Sequence, residues 1–259
     1  IRNGTVDRKK DNMLVITNES RKAGLDMRMI DPNAEDDPNG KVSKCAENIY
    51  KIWKDTTNIK GTQLMFSDIG VPGGANFDIY QVIKDKLIDY GVPEDEIAFI
   101  HDASTESQKD KLFEKVRSGK VRVLMGSTSK MGTGTNVQDH LVAMHDLDCP
   151  WRPSDLEQRM GRIVRRGNKN DEVDIYRYVT EKTFDSYLWQ MILRKQKFIT
   201  QVMTNKIGSR DVFDDPLVME ASETIAQCAG DPIIKEKFEL DMEVRKLGTL
   251  KRSHQQEQI

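Results

Sequence analysis

Apolar residues gather in five short, nearly continuous runs, and helical patterns separate these runs. Continuous apolar runs are typical of strands covered on both faces, and their alternation with helices predicts an α/β domain with a parallel sheet. The runs are TQLMFSD (62–68), EIAFIHD (96–102), VRVLMGS (121–127), HLVAMHDLD (140–148) and VDIYRYVT (173–180). In such sheets ligands bind beyond the carboxyl ends of the strands, so the loops after these runs are the candidate site.

Helix-capping patterns mark two of the intervening helices. Thr105 and Gln108 form a capping box ahead of an amphipathic stretch. Ser154 and Glu157 form a second one, and the helix that follows is expected to continue to Gly167, because glycine is a common helix stop. Of the five strands, the run 121–127 is expected to be central.

The flanks of the five runs differ from them in pattern. Residues 31–40 are acidic and turn-rich, and 41–58 carry a helical pattern. One long amphipathic helix is predicted over 183–204. The predicted divisions are an N-terminal lead-in with a loop and a helix (1–59), an α/β lobe (60–203), and a linker with a charged helical tail (204–259).

Composition excludes several classes of protein. The 259 residues are 37% hydrophobic and 32% charged, as in polar globular proteins, and the net charge of −2 argues against bulk electrostatic capture of nucleic acid. No apolar stretch approaches the roughly 18–20 residues of a membrane span, so we expect no membrane partner. The three cysteines form no CxxC pair and the four histidines no HExxH, so we expect no metal site and a reducing, cytoplasmic location.

Two motifs carry the candidate chemistry. MGTGTNVQ (131–138) is glycine-rich and follows a strand run, but it lacks the lysine of a phosphate-binding P-loop. In QRMGRIVRRG, Gln158, Arg162 and Arg165 are spaced by four and three and would share one helical face, which suits a phosphate ligand. Gly161 would let this helix approach another backbone closely. The alternative is a basic helix face that is exposed to solvent and binds no ligand.

The order of these motifs resembles the second RecA-like lobe of superfamily 2 helicases and translocases. QRMGRIVRR is similar to motif VI of that family (QxxGRxxR), GSTSKMGTGTNVQ to motif V, and LMFSD to motif IV. The turn DCPWRPSD and the segment YRYVTEKTFDSYLWQ most resemble the Swi/Snf-type branch. The chain also resembles the helicase segment of large proteins of bacterial mobile elements and phages that are labelled DNA methylases. The implied fold is a three-layer RecA-like parallel sheet with helices on both faces, followed by a helical C-terminal extension.

The resemblance implies a role for each matching residue. Arg162 and Arg165 would be arginine fingers on the γ-phosphate of ATP, and Gln158 would position the nucleotide or the attacking water. Nucleotide contacts would come from the glycine-rich turn and the motif VI glycine: Gly132, Gly134, Thr135 and Gly161. Nucleic-acid contacts would come from motifs IV and V: Ser67, Ser127, Thr128, Asn136 and Gln138. Trp151 would anchor a packed turn, with stacking on a base as the alternative.

No P-loop and no acidic magnesium-binding box occur in the sequence. The resemblance therefore implies half of an ATP site, with ATP and Mg²⁺ held mainly by an N-terminal RecA-like lobe expected before Ile1. The isolated chain is then expected to bind no cofactor and to hydrolyse no ATP, and double-stranded DNA would bind through its phosphate backbone. Two alternatives remain: an inactive RecA-like module that docks nucleic acid or protein, and a dinucleotide-binding oxidoreductase. The oxidoreductase is disfavoured because no acidic ribose-binding residue follows a second strand at the required distance.

Overall fold

The computed structural model describes residues 13–74, 77–131, 136–163 and 167–203, together with Leu240, Val244, Leu247, Gly248 and Lys251. The chain divides into two compact units, residues 1–188 and 189–259. The first unit contains the whole sheet and the lead-in that precedes it.

Five parallel strands form the sheet. They are β1 (Thr62–Phe66), β2 (Ile97–Phe99), β3 (Val123–Gly126), β4 (Leu141–Asp146) and β5 (Asp174–Arg177). Their order across the sheet is β2-β3-β1-β4-β5, and every neighbouring pair is parallel. The predicted parallel sheet is therefore confirmed. The central strand is β1 rather than β3, because two strands lie on either side of β1 in this order.

Seven α-helices accompany the sheet within the described residues. They are α1 (Met13–Leu25), α2 (Lys41–Asp55), α3 (Ile79–Asp89), α4 (Glu106–Arg117), α5 (Thr128–Met131), α6 (Pro153–Met160) and α7 (Phe184–Met203). The predicted helix over 183–204 is thus confirmed as α7, and the predicted helix over 41–58 as α2. The pattern along the chain did not predict α1. In the tail, the described residues Leu240, Val244, Leu247, Gly248 and Lys251 are helical.

Alternate residues of the inner strands face two separate apolar clusters, one on each side of the sheet. Met65 of β1 packs in a cluster with α2 and α3, where Ile49 and Ile83 are fully buried. Leu64, its neighbour, packs in the other cluster with Phe113 of α4. Helices therefore cover both faces, and the predicted three-layer arrangement is confirmed.

One predicted capping box is confirmed and the other is wrong. The Gln108 amide N–H donates to Thr105 Oγ1 at 3.2 Å, and the Thr105 N–H donates to Gln108 Oε1 at 3.0 Å. The helix α6 instead begins at Pro153, with Arg152 as its N-cap and no side-chain cap. Proline at the first helical position presets φ for a helix, so the helix starts before Ser154.

The motif VI helix is also shorter than predicted. It ends at Met160 rather than near Gly167, and Gly161 is its C-cap. Arg162 N–H donates to Arg159 O at 3.1 Å and Ile163 N–H to Met160 O at 2.9 Å, so the chain tightens into a turn with hydrogen bonds three residues apart. Ile163 is buried in the cluster that contains Leu64, and the tightened turn accompanies this burial.

A chain of buried polar side chains crosses the cluster that contains Met65. His145 of β4 lies between Tyr178 and Gln63, with Nδ1 2.9 Å from Tyr178 Oη and Nε2 3.0 Å from Gln63 Oε1. Gln63 Nε2 donates to Ile49 O, and Asn48 Nδ2 donates to Tyr178 Oη. A neutral His145 protonated on Nε2 satisfies every contact in this chain, and burial lowers its pKa to about 3.

Candidate functional site

The side chain of Arg159, on α6, fills the space beyond the carboxyl ends of β1, β3 and β4. It is 0% exposed. Nη1 donates to Asp146 Oδ1 at 2.9 Å, and Nη2 donates to Asp68 Oδ2 at 2.9 Å and to Asp148 Oδ1 at 3.0 Å. Nε donates to Thr128 Oγ1 at 2.9 Å. One guanidinium therefore joins α6 to the residues that follow three neighbouring strands.

The partners of Arg159 also bind each other. Asp68 accepts two hydrogen bonds from Thr128, from N–H at 2.7 Å and from Oγ1 at 2.8 Å. The Asp68 N–H donates to Asp148 Oδ2 at 2.9 Å. We call Arg159, Asp68, Thr128, Asp146 and Asp148 the Arg159 cluster. Because each member has partners from a different strand end, the cluster fixes the starts of the loops relative to each other.

Burial and charge act in opposite directions on these groups. Burial by itself would lower the pKa of Arg159, but the carboxylates of Asp148, Asp146 and Asp68 raise it, so the guanidinium stays charged. Burial raises the pKa of Asp146 and of Asp148, and the charge of Arg159 opposes this rise. Arg177, whose Nε lies 3.7 Å from Asp146 Oδ2, adds a second positive charge.

The acidic residues of the Arg159 cluster surround a guanidinium. Across the described ranges, no group of three or more histidine, cysteine or acidic side chains is arranged to hold a metal ion. Nor is any described helix long and apolar enough to span a membrane.

The predicted motif VI residues lie at and just beyond the end of α6. Gln158 and Gly161 are exposed, and Arg162 is half-buried. Because the helix ends at Met160, Gln158 and Arg162 do not share a continuous helical face, and that part of the expectation is wrong. Arg165 lies outside the described residues. A Cβ on Gly161 would meet only carbonyls of the preceding turn among described atoms, the nearest being Glu157 O at 3.1 Å.

The predicted motif V residues divide into three groups. Gly132, Gly134 and Thr135 lie outside the described residues. Ser127 and Thr128 are buried, with Ser127 Oγ 3.1 Å from Ser129 Oγ and Thr128 in the Arg159 cluster.

The last two motif V residues follow the glycine-rich turn. Asn136 is exposed, and its carbonyl accepts a hydrogen bond from Arg117 Nη1 at 2.8 Å. Gln138 is 7% exposed and lies beside Gly167, where an added Cβ would be 3.7 Å from Gln138 Nε2. The end of motif V therefore lies next to the segment that follows motif VI.

Ser67 does not reach the surface. It is 0% exposed, its hydroxyl donates to Ile69 O at 2.8 Å, and its carbonyl accepts from Tyr80 Oη. Direct contact with a phosphate, as expected of this hydroxyl, is incompatible with its burial in this conformation.

Trp151, at the entrance to α6, is 46% exposed. Trp151 was expected to be packed as the anchor of its turn, but only about half of its side chain is buried. One face of its ring is covered by Arg21 of α1, whose Cζ lies 4.4 Å from the ring centre.

Arg159 is the residue of this site that the sequence analysis missed. The signal was present in two places. Leu156, Arg159 and Ile163 follow helical spacing, and all three are buried, so an arginine occupied an inner-face position. The strand runs also end in FSD and HDLD, which supply three aspartates at one edge of a parallel sheet.

Part of the chain is similar to known proteins. Residues 76–167 match the family described as the helicase conserved C-terminal domain. An uncharacterized ATP-dependent helicase of Bacillus subtilis, YqhH, is 36% identical over 87 residues, which is 33% of this chain and 15% of that protein. The defense against restriction protein B of Escherichia phage P1 is 23% identical over 149 residues, which is 58% of this chain and 6% of that protein. The chain therefore spans a small part of the length of these relatives.

Among solved structures, the C-terminal part of the Fun30 ATPase domain aligns with a TM-score of 0.48 and 16% identity, over 65% of this chain and 53% of that one. The matched range 76–167 contains β2, β3, β4 and α6, and with them the glycine-rich turn and all of the Arg159 cluster except Asp68. The parallel sheet with helices on both faces is the arrangement that the motifs implied, and residues 76–167 are similar to the helicase conserved C-terminal domain.

Proposed function

We propose that this chain is the second RecA-like lobe of an ATP-dependent nucleic-acid translocase, and that it supplies arginine fingers to an ATP site completed by a first lobe. The observation that carries the proposal is the family match over 76–167, which spans motifs V and VI in one RecA-like sheet. The Arg159 cluster supports it, because it attaches the motif VI helix to the strand end that opens motif V.

Arg162 and Arg165 are the proposed fingers, and Gln158 is the proposed positioning residue for nucleotide or water. Arg159 does not serve as a finger, since its guanidinium is fully buried among three carboxylates. Arg162 follows it by three residues, beyond the C-cap glycine, and is partly exposed. A guanidinium fork there would bind charge spread over the transferring phosphoryl group.

The described residues suit ATP only in part. Gln158 and Arg162 lie at one end of α6, but no group of described acidic side chains is arranged to hold Mg²⁺. Mg²⁺, when bound, neutralises charge on the β- and γ-phosphates, and its ligands would come from the first lobe. This lobe would contribute donors and exclude water from its side of the cleft.

The proposed nucleic acid along which the chain moves is double-stranded DNA, as in the Swi/Snf-type branch. The chain would be part of a large protein of a phage or other mobile element. The exposed Asn136 of motif V and the exposed Trp151 beside motif VI are the described candidates for contacting the DNA. A cytoplasmic location follows from this role.

Steady-state ATPase measurements on this chain, alone and joined to its first lobe, test the proposal. The isolated chain should hydrolyse no ATP, and the joined protein should hydrolyse it faster with DNA. Arg162→Ala and Arg165→Ala should each lower turnover steeply, because arginine fingers contribute about 10³–10⁵ in rate in well-studied cases. Nucleotide affinity should change much less, because the fingers act mainly in the transition state.

Arg166→Ala is the matched control, because it removes the same charge one residue away and should change turnover little. If Arg166→Ala were the damaging substitution while the other two were silent, the assignment of the fingers would be wrong. If all three were silent, an inactive docking module would be the better account of the chain.

A further inference from the structure

The helix α1 contacts the loop that leads into α6, and the side chain of Arg21 makes this contact. Arg21 is 7% exposed, and its Nη2 donates to Cys149 O at 2.7 Å. The same Nη2 lies 3.9 Å from Asp148 Oδ2, and the guanidinium stacks 4.4 Å from the centre of the Trp151 ring. One side chain of α1 therefore touches three of the four residues from 148 to 151.

Asp148 connects this contact to the Arg159 cluster. Its Oδ1 accepts from Arg159 Nη2, and its Oδ2 accepts from the Asp68 N–H and faces Arg21. Asp148 is 2% exposed, so solvent screens these charges little. A buried series of charges, Arg21–Asp148–Arg159, thus runs from the N-terminal helix to the motif VI helix.

The end of α1 is fixed to the same lobe by a second contact. Thr180 Oγ1 donates to Gly24 O at 2.6 Å. A Cβ at Gly24 would lie 3.0 Å from the Cβ of Asp185, so the helix packs tightly against that segment. These contacts lie beside Arg21 and hold α1 at a defined position against the loop.

We propose that Arg21 is a positioning residue, which holds the Trp151 ring and the Asp148 carboxylate and so makes the entry of α6 depend on the placement of α1. The inference rests on the proposed function, in which Arg162, just beyond the far end of α6, acts on ATP. A displacement of α1 would then reach α6 through Arg21, without contact between Arg21 and nucleotide.

The direct test is fluorine NMR of this chain labelled with 5-fluorotryptophan, with Trp151→Phe used to assign the Trp151 resonance among the three tryptophans. Arg21→Ala should shift the Trp151 resonance and increase its sensitivity to exchange of H₂O for D₂O, because one face of the ring loses its cover. Arg21→Lys should shift it less. Lys22→Ala, which removes a neighbouring charge from the same helix, should leave it in place.

The functional test uses the protein joined to its first lobe. Arg21→Ala should lower DNA-stimulated turnover at least fivefold and change KM for ATP less than twofold, whereas Lys22→Ala should change neither. An unmoved Trp151 resonance in Arg21→Ala, a shift of all three tryptophans together, or unchanged turnover would each overturn the proposal. If the unmodified joined protein hydrolysed no ATP, the proposed function would fail, while the Trp151 resonance would still report on the contact itself.

Discussion

At the scale of one residue, Arg159 is the charged side chain whose burial requires the most partners. A buried arginine is tolerated only if its charge and its donors are matched, since removing a charge from water costs several kcal/mol per ion. Here three carboxylates and one hydroxyl surround the guanidinium. The same arrangement means that loss of the arginine leaves three aspartates facing each other.

We therefore expect Arg159→Ala to lower the free energy of unfolding by about 3–5 kcal/mol, as for other broken buried pairs. Asp68→Asn should cost less, because the Asp68 side chain is 32% exposed and two carboxylates remain. Urea denaturation of the chain measures both.

Arg152→Ala is the control, since this arginine is 78% exposed and pairs with Asp155 at 3.6 Å. Surface pairs contribute only about 0.2–1 kcal/mol. Equal losses in Arg159→Ala and Arg152→Ala would contradict the account of the cluster.

At the scale of elements, the polar chain through His145 joins β1, β4, α2 and the segment after β5. His145 Nδ1 can accept a hydrogen bond from Tyr178 Oη only when the imidazole is neutral. The pKa of His145 is lowered by burial to about 3 in the folded chain, against about 6.5 in an unfolded one. Between these pH values the unfolded chain binds more protons, so the stability that His145 contributes is complete above pH 6.5 and is lost as the pH falls toward 3.

His145→Gln removes this titration, and the amide of the new side chain still supplies a hydrogen-bond donor and an acceptor. The difference in free energy of unfolding between the two proteins should therefore shift in favour of the variant as the pH is lowered from 6.5 to 3. Its slope should be no more than about 1.4 kcal/mol per pH unit. Chemical denaturation at a series of pH values measures this difference, in which the shared carboxylates largely cancel. A pH-independent difference would mean that His145 is not buried as a neutral ring.

For the molecule as a whole, the charge balance sets how it should bind DNA. The net charge is −2, so attraction to DNA depends on local basic groups rather than on the total charge. We expect the isolated chain to bind duplex DNA weakly and with a steep loss of affinity as salt rises, because each phosphate contact releases counterions. Titration of a labelled duplex at low and moderate salt measures this.

Sequence preference is the control for that experiment. Two duplexes of equal length and different sequence should bind alike, because contacts to the backbone carry no base information. Tight binding that salt does not weaken, or a strong preference for one duplex, would contradict binding through the phosphate backbone.

The sequence by itself determined the order and type of the main elements. Five strand runs, the capping box at Thr105 and the long helix α7 follow from spacing and local hydrogen bonding, which depend on residues a few positions apart. The motifs also marked a helicase-like lobe over 60–203, and the family match at residues 76–167 lies within it. These features depend on residues that are near each other in the sequence, so they can be predicted without the three-dimensional contacts.

Only the tertiary structure decided which residues meet beyond the carboxyl edge of the sheet. Arg159 contacts Asp68 across 91 positions and Arg21 contacts Cys149 across 128, distances at which spacing gives no guidance. The end of α6 at Met160 and the burial of Ser67 were likewise set by packing. The physical reason is the cost of burying a charged side chain. The sequence alone suggests that such a side chain is exposed to solvent, but once it is buried it must be paired, and the fold alone determines where its partners lie.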